Sequence, residues 1–300
     1  MTPQSSTDRT RLLAILLMIG AGVSFAVMSA LMKVAGERLS TFEVVFGRGL
    51  VGFFLVVSLE RIGVGDRARA VNRRGLVVRA LFGFLAMTTY VWAVNHIDLG
   101  LASALNQSSP LFVALFAALF LKERPSKLVP ALVFVGFGGV WLIVAPDFST
   151  INIHAVIGAA SAVLAAMSYI MVRHLRKTDR PWVIVRWFTL LSALFALPFL
   201  FIGNWLWPTS TEWAALAGIG AMRLAGQLLL SHSYRLAEAS VVSPFIYTCV
   251  LVNFVAGWFF WDEWPTPLAF LGGVLLVASS LAIAILARQK KNPSMETVSP

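Results

Sequence analysis

The chain has 300 residues, 58% of them hydrophobic, and a mean hydropathy of +0.81, above the roughly 45–50% apolar share of ordinary soluble domains. Its formal net charge of +10 raises the question of a nucleic-acid partner, but the basic residues are dispersed over short segments between apolar runs, which argues against one. The single cysteine, Cys249, sits inside an apolar run, so there is neither a disulfide framework nor a thiolate metal site to expect.

Segments of about 17–25 mostly apolar residues span the roughly 30 Å hydrocarbon layer. Ten are predicted, near 11–33, 42–59, 75–95, 99–121, 128–145, 154–174, 181–203, 212–235, 237–261 and 266–287. The first follows Arg9 and Arg11 as a signal peptide would, yet it runs long, ends in Lys33 and leads into another span, so it reads as helix 1. With Met1 in the cytoplasm, the cytoplasmic segments receive Arg61, Arg67, Arg69, Arg73 and Arg74, then Lys122, Arg124 and Lys127, then Arg173, Arg176, Lys177 and Arg180, and finally Arg235, Arg288, Lys290 and Lys291. The opposite face receives Lys33 and Arg38. This asymmetry predicts both termini on the cytoplasmic side.

The two halves of the chain align. "MSALMK" from Met28 matches "MSYIMV" from Met167, and Arg48 follows Met28 by 20 residues where Arg186 follows Met167 by 19. Arg79 precedes Tyr90 by 11 residues, as Arg223 precedes Tyr234. "LFLKERPS" (119–126) matches "FFWDEWPT" (259–266), placing Glu123 and Pro125 on Glu263 and Pro265. Residues 1–150 and 151–300 therefore read as two five-helix repeats. An odd span count makes the second enter the membrane inverted, an architecture typical of secondary transporters with a midplane site. The predicted fold class is all-α membrane, ten transmembrane helices in two inverted five-helix repeats.

On "KERPS" (122–126), "DEWPT" (262–266) and "AEASVVSPFIYT" (237–248), the chain resembles the EamA type of the drug/metabolite transporter superfamily over roughly residues 11–287. The resemblance implies a bacterial inner-membrane carrier whose two halves line a central cavity, with the fifth and tenth helices peripheral. It also implies small-metabolite substrates, often exported amino acids, sometimes imported vitamins or nucleotide-like compounds. Trp261 and Trp264 depart from the smaller residues common around the second signature.

Candidate binding residues follow from depth and helical spacing. At about 1.5 Å per residue Arg223 lies about 17 Å from Glu212, near the membrane centre, and a central arginine faces protein or water rather than lipid. Arg223, Gln227, Ser231 and Tyr234 share one face. A guanidinium is a fork that grips a carboxylate at two points, and no Asp or Glu falls deep in any span, so Arg223 reads either as a substrate contact or as a structural cation. Pro244, with Ser243 and Tyr247 nearby, interrupts the ninth span; Pro110, with Asn106 and Gln107, interrupts the fourth. Such paired interruptions point to a transporter's site. Tyr90 and Met28 sit deep enough to face the same cavity. Arg48, about six residues in from Phe42, and Arg186, about five in from Pro181, read as gate or scaffold charges near the interfaces, and Arg79 as interfacial. The tryptophans at 205, 207, 213, 258, 261 and 264 form an interfacial belt.

No metal-ligand cluster, phosphate-cradling loop or nucleophile beside a base is visible, so neither an enzyme nor a cofactor is expected. The expected partners are membrane lipid and a small-molecule substrate; a monomer is compatible with the sequence. The reading is an alternating-access carrier of a small anionic or zwitterionic metabolite, with export of an amino acid or derivative favoured by the resemblance. The alternatives are import of a planar vitamin or nucleoside-like metabolite, export of a chelating amino-acid derivative, or a channel.

Overall fold

A computed structural model of the chain describes residues 3–64, 68–120, 128–145, 150–201, 205–237 and 239–289. Residues 122–126 of the first signature lie outside this set, as do the side chains of Ser240 and Ser243. The described chain is helical throughout: α1 (Pro3–Gly36), α2 (Thr41–Arg61), α3 (Arg73–His96), α4 (Leu99–Asn106), α5 (Ser109–Phe120), α6 (Val129–Val144), α7 (Ile153–Leu175), α8 (Pro181–Leu200), α9 (Ser210–Leu236), α10 (Ala239–Val242), α11 (Thr248–Trp261) and α12 (Pro267–Gln289), with a 3-10 turn over Ser243–Tyr247 between α10 and α11. These make ten transmembrane crossings. Seven segments are long and apolar enough to span alone, the last of them Pro244–Trp261. The fourth crossing is α4 with α5, broken at Gln107 and Ser108 just before Pro110. The ninth breaks around Pro244, whose missing N–H tightens the backbone into the 3-10 turn.

Helix starts are written locally. Ser40 and Glu43 form a capping box at α2, and Thr209 and Glu212 form another at α9, each satisfying backbone donors left open in the first turn. Asn72 caps α3 and Asn152 caps α7.

Packing repeats with two-fold logic. The heaviest pairing, α1 against α9, is mirrored by α7 against α3; α2 with α8 and α6 with α12 pair as symmetry mates, and α4 meets α11 likewise. Each helix of one half thus finds the partner that inversion demands. The membrane ends differ in chemistry. One bears the start of α1 and the end of α12; the other exposes Trp205, Trp207, Trp258 and Trp264, with Trp207 packed edge-on to Trp213 and Trp258 to Trp264.

Candidate functional site

Three arginines from three helices converge at mid-depth. Arg79 on α3 lies over the Phe188 ring of α8 at 3.9 Å from its centroid, and Arg48 on α2 lies over the same ring at 5.9 Å. Arg223 on α9 faces Arg48 across a cavity of about 30 Å³ lined also by Phe188, Ser192, Gly49, Gly52 and Gly220, room for about one or two water molecules. Glycines make this approach possible. A Cβ on Gly49 would come within 2.9 Å of the Ala193 backbone nitrogen, and one on Gly83 within 2.6 Å of Phe188 Cε2 and 3.0 Å of Arg79 Nη1.

The three cations lack counter-charges among the described residues. Among the described residues no carboxylate reaches Arg48, Arg79 or Arg223, and the buried Arg48 Nε, Arg79 Nε, Arg79 Nη1 and Ser192 Oγ have no hydrogen-bond partner. Other intramembrane cations are matched: Lys33 by Glu263 and by the carbonyls of Val94 (3.0 Å) and Ile97 (3.4 Å), and Arg186 by Glu60 (2.8 Å) and the Ala68 carbonyl (3.1 Å). Arg48 feels the like charges of Arg223 and Arg79, and Arg79 that of Arg223. Unit charges roughly 8 Å apart repel by about 2 kcal/mol at an effective dielectric of about 20. Such a cluster is costly in an empty protein and suits an anion.

The two sides of the cluster differ in their polar residues. Leu216 and Gly220 of α9 are buried against α2, where a Cβ on Gly47 would meet Leu216 Cδ1 at 2.6 Å and one on Gly220 would meet Val51 Cγ1 at 2.7 Å. About two and four turns beyond Gly220, the same side of α9 carries Gln227 and Tyr234, both exposed. Tyr169 of α7, 57% exposed, stands near enough to Arg79 and Arg223 to interact with both charges. The tryptophan-rich end is tied together by polar contacts. Ser29 Oγ and Tyr90 Oη share a 2.7 Å hydrogen bond, and Lys33 of α1 ties the last turn of α3 to Glu263. Glu263 also accepts from the Leu99 N–H at the start of α4 (2.7 Å). Asp262, in the left-handed region at φ 53°, turns the chain so that Glu263 folds back against Gly257.

The predicted residues therefore divide. Arg223 lines the cavity. Arg48 is not interfacial: it is 5% exposed and unpaired, because its side chain carries the guanidinium inward to Phe188. Arg79 departs from its interfacial expectation in the same way, reaching inward from the opposite end. Arg186 is a paired charge tying α8 to α2 and to the loop between α2 and α3. Gln227 and Tyr234 lie farther along that side of α9 rather than beside the cations. Asn106 donates to Ser161 Oγ (3.0 Å) and Gln107 contacts Cys249 Sγ (3.4 Å), so the polar residues at the Pro110 break satisfy one another across α4, α7 and α11. Tyr247 and Met28 are buried in apolar clusters, Tyr247 with Ala104 and Cys249, Met28 with Met32 and Tyr90. Pro110 and Pro244 mark the two helix breaks. Phe188, Tyr169 and Ser192 were not singled out by the sequence; Phe188, two residues beyond Arg186, is the one the repeat alignment brings nearest to notice. His96 and His154 stack with Trp92, whose Nε1 donates to His154 Nδ1 at 3.0 Å. Among the described residues no cluster of His, Cys, Asp and Glu is arranged to hold a metal ion.

Comparison with known proteins agrees with this architecture. A pseudopaline exporter of Pseudomonas aeruginosa is 37% identical over 281 residues, covering 92% of this chain and 96% of the exporter. A riboflavin transporter of Vibrio cholerae is 25% identical, with coverage of 87% and 89%, and an S-adenosylmethionine uptake transporter of Rickettsia bellii is 23% identical, with the same coverages. A solved crystal structure at 18% identity superposes with a TM-score of 0.58 over 91% of this chain and 98% of its own, a likeness of fold. The EamA-like transporter family matches twice, over residues 12–145 and 152–285, one match to each half of the inverted bundle, and the chain is a multi-pass membrane transporter belonging to that family.

Proposed function

We propose that the chain is an alternating-access exporter of a small anionic metabolite, an amino-acid-derived chelator in preference to a simple amino acid. The observation that carries the reading is the convergence of Arg48, Arg79 and Arg223 with no counter-charge among the described residues. The 37% identity to a pseudopaline exporter supports the chelator class. The repeats 1–150 and 151–300 rock about the cluster, the termini and the side carrying Gln227 and Tyr234 face the cytoplasm, and the tryptophan belt faces outward in the inner membrane. This orientation follows the predicted positive-inside asymmetry, and that side then loads from the cytoplasm, as export requires. Pairing of substrate carboxylates with the cluster removes the repulsion between Arg223 of the second repeat and Arg48 and Arg79 of the first, which favours the halves closing together.

Counterflow in proteoliposomes tests this. Vesicles loaded with pseudopaline, glutamate or riboflavin are challenged with the same labelled compound, using wild type, Arg223→Gln and Arg48→Gln. Saturable exchange of pseudopaline, reduced about 30-fold or more in each variant as expected for a lost charge-assisted contact of roughly 2–3 kcal/mol, supports the reading. Riboflavin exchange insensitive to both substitutions overturns it in favour of the planar-vitamin carrier, and non-saturating flux without counterflow favours a channel.

A further inference from the structure

We infer that the Arg48–Arg79–Arg223 cluster selects its substrate by the number of free carboxylates, taking a di- or tricarboxylate in its metal-free form and rejecting the metal complex of the same molecule. This rests on the export reading above and names the substrate class for that site. A single carboxylate offers one charge and two oxygens. Each guanidinium carries five N–H donors and cannot lose its proton, so a monocarboxylate leaves most of the cluster's charge in place. Two of the guanidiniums sit over one ring, at 3.9 and 5.9 Å from its centroid, and Arg48 and that ring share a cavity with Arg223, so the three adjoin one site. Arg48 and Arg79 bring buried donors with no acceptor, and Ser192 Oγ adds a neutral one beside them. Because Arg48 and Arg79 belong to the first repeat and Arg223 to the second, a ligand with two or more carboxylates spans the repeats where a monocarboxylate grips one.

Metal discrimination follows from the same groups. In a chelate the carboxylate oxygens are already committed to the cation and the net negative charge falls. The cluster offers guanidiniums, which repel the ion, and among the described residues no group of His, Cys, Asp and Glu stands ready to take it over. The metal complex thus loses both the charge and the oxygens that the site reads.

The test uses a series in which one amine carries one, two or three carboxylates: glycine, iminodiacetate and nitrilotriacetate. Binding to the full chain in lipid nanodiscs is measured by calorimetry and by the shift in thermal unfolding. Each probe is used with and without an equivalent of zinc, with zinc chloride alone as control. Affinity is expected to rise about tenfold or more with each added carboxylate, and zinc is expected to cancel the gain for nitrilotriacetate. Arg48→Gln, Arg79→Gln and Arg223→Gln should each flatten the series, and Arg→Lys at the same positions should keep part of it. A variant that fails to purify as a single species is replaced by its Lys counterpart, which keeps the charge and so the comparison. A flat series in wild type, no binding by any probe at millimolar concentration, or equal binding of the zinc complex overturns the inference. Arginine-dependent counterflow of pseudopaline with a flat series would leave the export reading standing and remove the inference alone. A rising series without arginine-dependent counterflow would do the reverse.

Discussion

The two ends of the helix bundle are built differently. At the tryptophan-rich end one apolar cluster runs through α1, α2, α3, α8 and α9, joining Met28, Met32, Val44, Phe84, Val94, Ala196, Leu216 and Ile219. At the terminus-bearing end two smaller clusters, Leu76 of α3 with Leu175, Val183 and Ile184 of α7 and α8, and Ala14 and Met18 of α1 with Leu230 and Val242 of α9 and α10, stand beside a third that runs the length of the bundle through α4, α5, α6, α7 and α12, from Ile143 and Ala269 to Val129 and Ile283. Polar ties follow the same division. Ser29 and Lys33 bind α1 across to α3 at the first end, whereas at the second Ser233 ties α9 to Ala14 of its own partner α1 (2.6 Å) and Glu60 ties α2 to Arg186 of α8. Apolar continuity is worth about 25 cal/mol per Å² of buried surface, so on the arginine-bearing side of the bundle the tryptophan-rich end is held by one continuous cluster and by ions together, and the terminus-bearing end by two separate, smaller ones. The arginine cluster lies where these two constructions meet, and a substrate bound there is placed to change which end is joined.

The largest effect is expected from making the cluster supply its own counter-charge. Arg223→Glu should stabilise the protein, because repulsion with Arg48 and Arg79 becomes attraction at roughly 2 kcal/mol per pair on the dielectric used above. The same change should lower counterflow by about 100-fold or more, since the anion site is filled. Thermal unfolding and flux should therefore move in opposite directions; a variant that loses both would show Arg223 to be a packing residue.

Next in size is the tie at the tryptophan-rich end. Lys33 and Glu263 have side chains only 11% and 13% exposed, and removing one member of a nearly buried pair costs about 3–5 kcal/mol because the other is left uncompensated. Lys33→Met should lower the unfolding midpoint sharply. Pairing it with Glu263→Gln should recover part of the loss, and the double variant should label faster than wild type at a cysteine introduced at Asn95, as that end loosens. Gly257→Ala tests the same tie more gently. The added methyl intrudes on the Glu263 carboxylate, and overpacking of this kind costs about 1–3 kcal/mol, a smaller effect measured in the same assay.

Much of this comparison was legible in the residues, and the failures share a cause. The ten crossings, their inversion and the breaks at Pro110 and Pro244 follow from hydropathy, parity and proline chemistry, because these are properties of the chain itself. Arg223 was singled out because its depth can be counted from the helix start. Arg48 and Arg79 were assigned to the interfaces by the same counting, which locates a Cα and ignores a flexible side chain that reaches inward from either end to Phe188. Phe188 and Tyr169 carry no distinguishing signal in an apolar helix; what gives them a place is the pairing of α8 with α2 and of α7 with α3. Gln227 and Tyr234 were correctly set on one stripe with Arg223, but spacing along α9 does not show where α2 parts from it.

The smallest effect lies at the margin of the terminus-bearing end, where Asp179 joins the loop before α8 to the start of α3. Its carboxylate accepts from the backbone N–H groups of Val71 (2.8 Å) and Asn72 (3.1 Å) and from the Thr178 hydroxyl (2.7 Å). Burial pushes its pKa up, and the bonds from Val71, Thr178 and Asn72 outweigh burial and hold it below the ordinary carboxylate value. A carboxyl group whose folded pKa is depressed stabilises the fold above its unfolded pKa, near 3.9, and loses that contribution as pH falls through the folded value. Asp179→Asn keeps the shape and removes the charge. It should cost about 1 kcal/mol at neutral pH, and the gap to wild type should close as the medium is acidified below about pH 4. Because the tie joins members of the same small cluster, transport at neutral pH should be unchanged within error. If Asp179→Asn instead slows counterflow, the loops at this end take part in the motion, and the division between the two ends would have to be redrawn to include them.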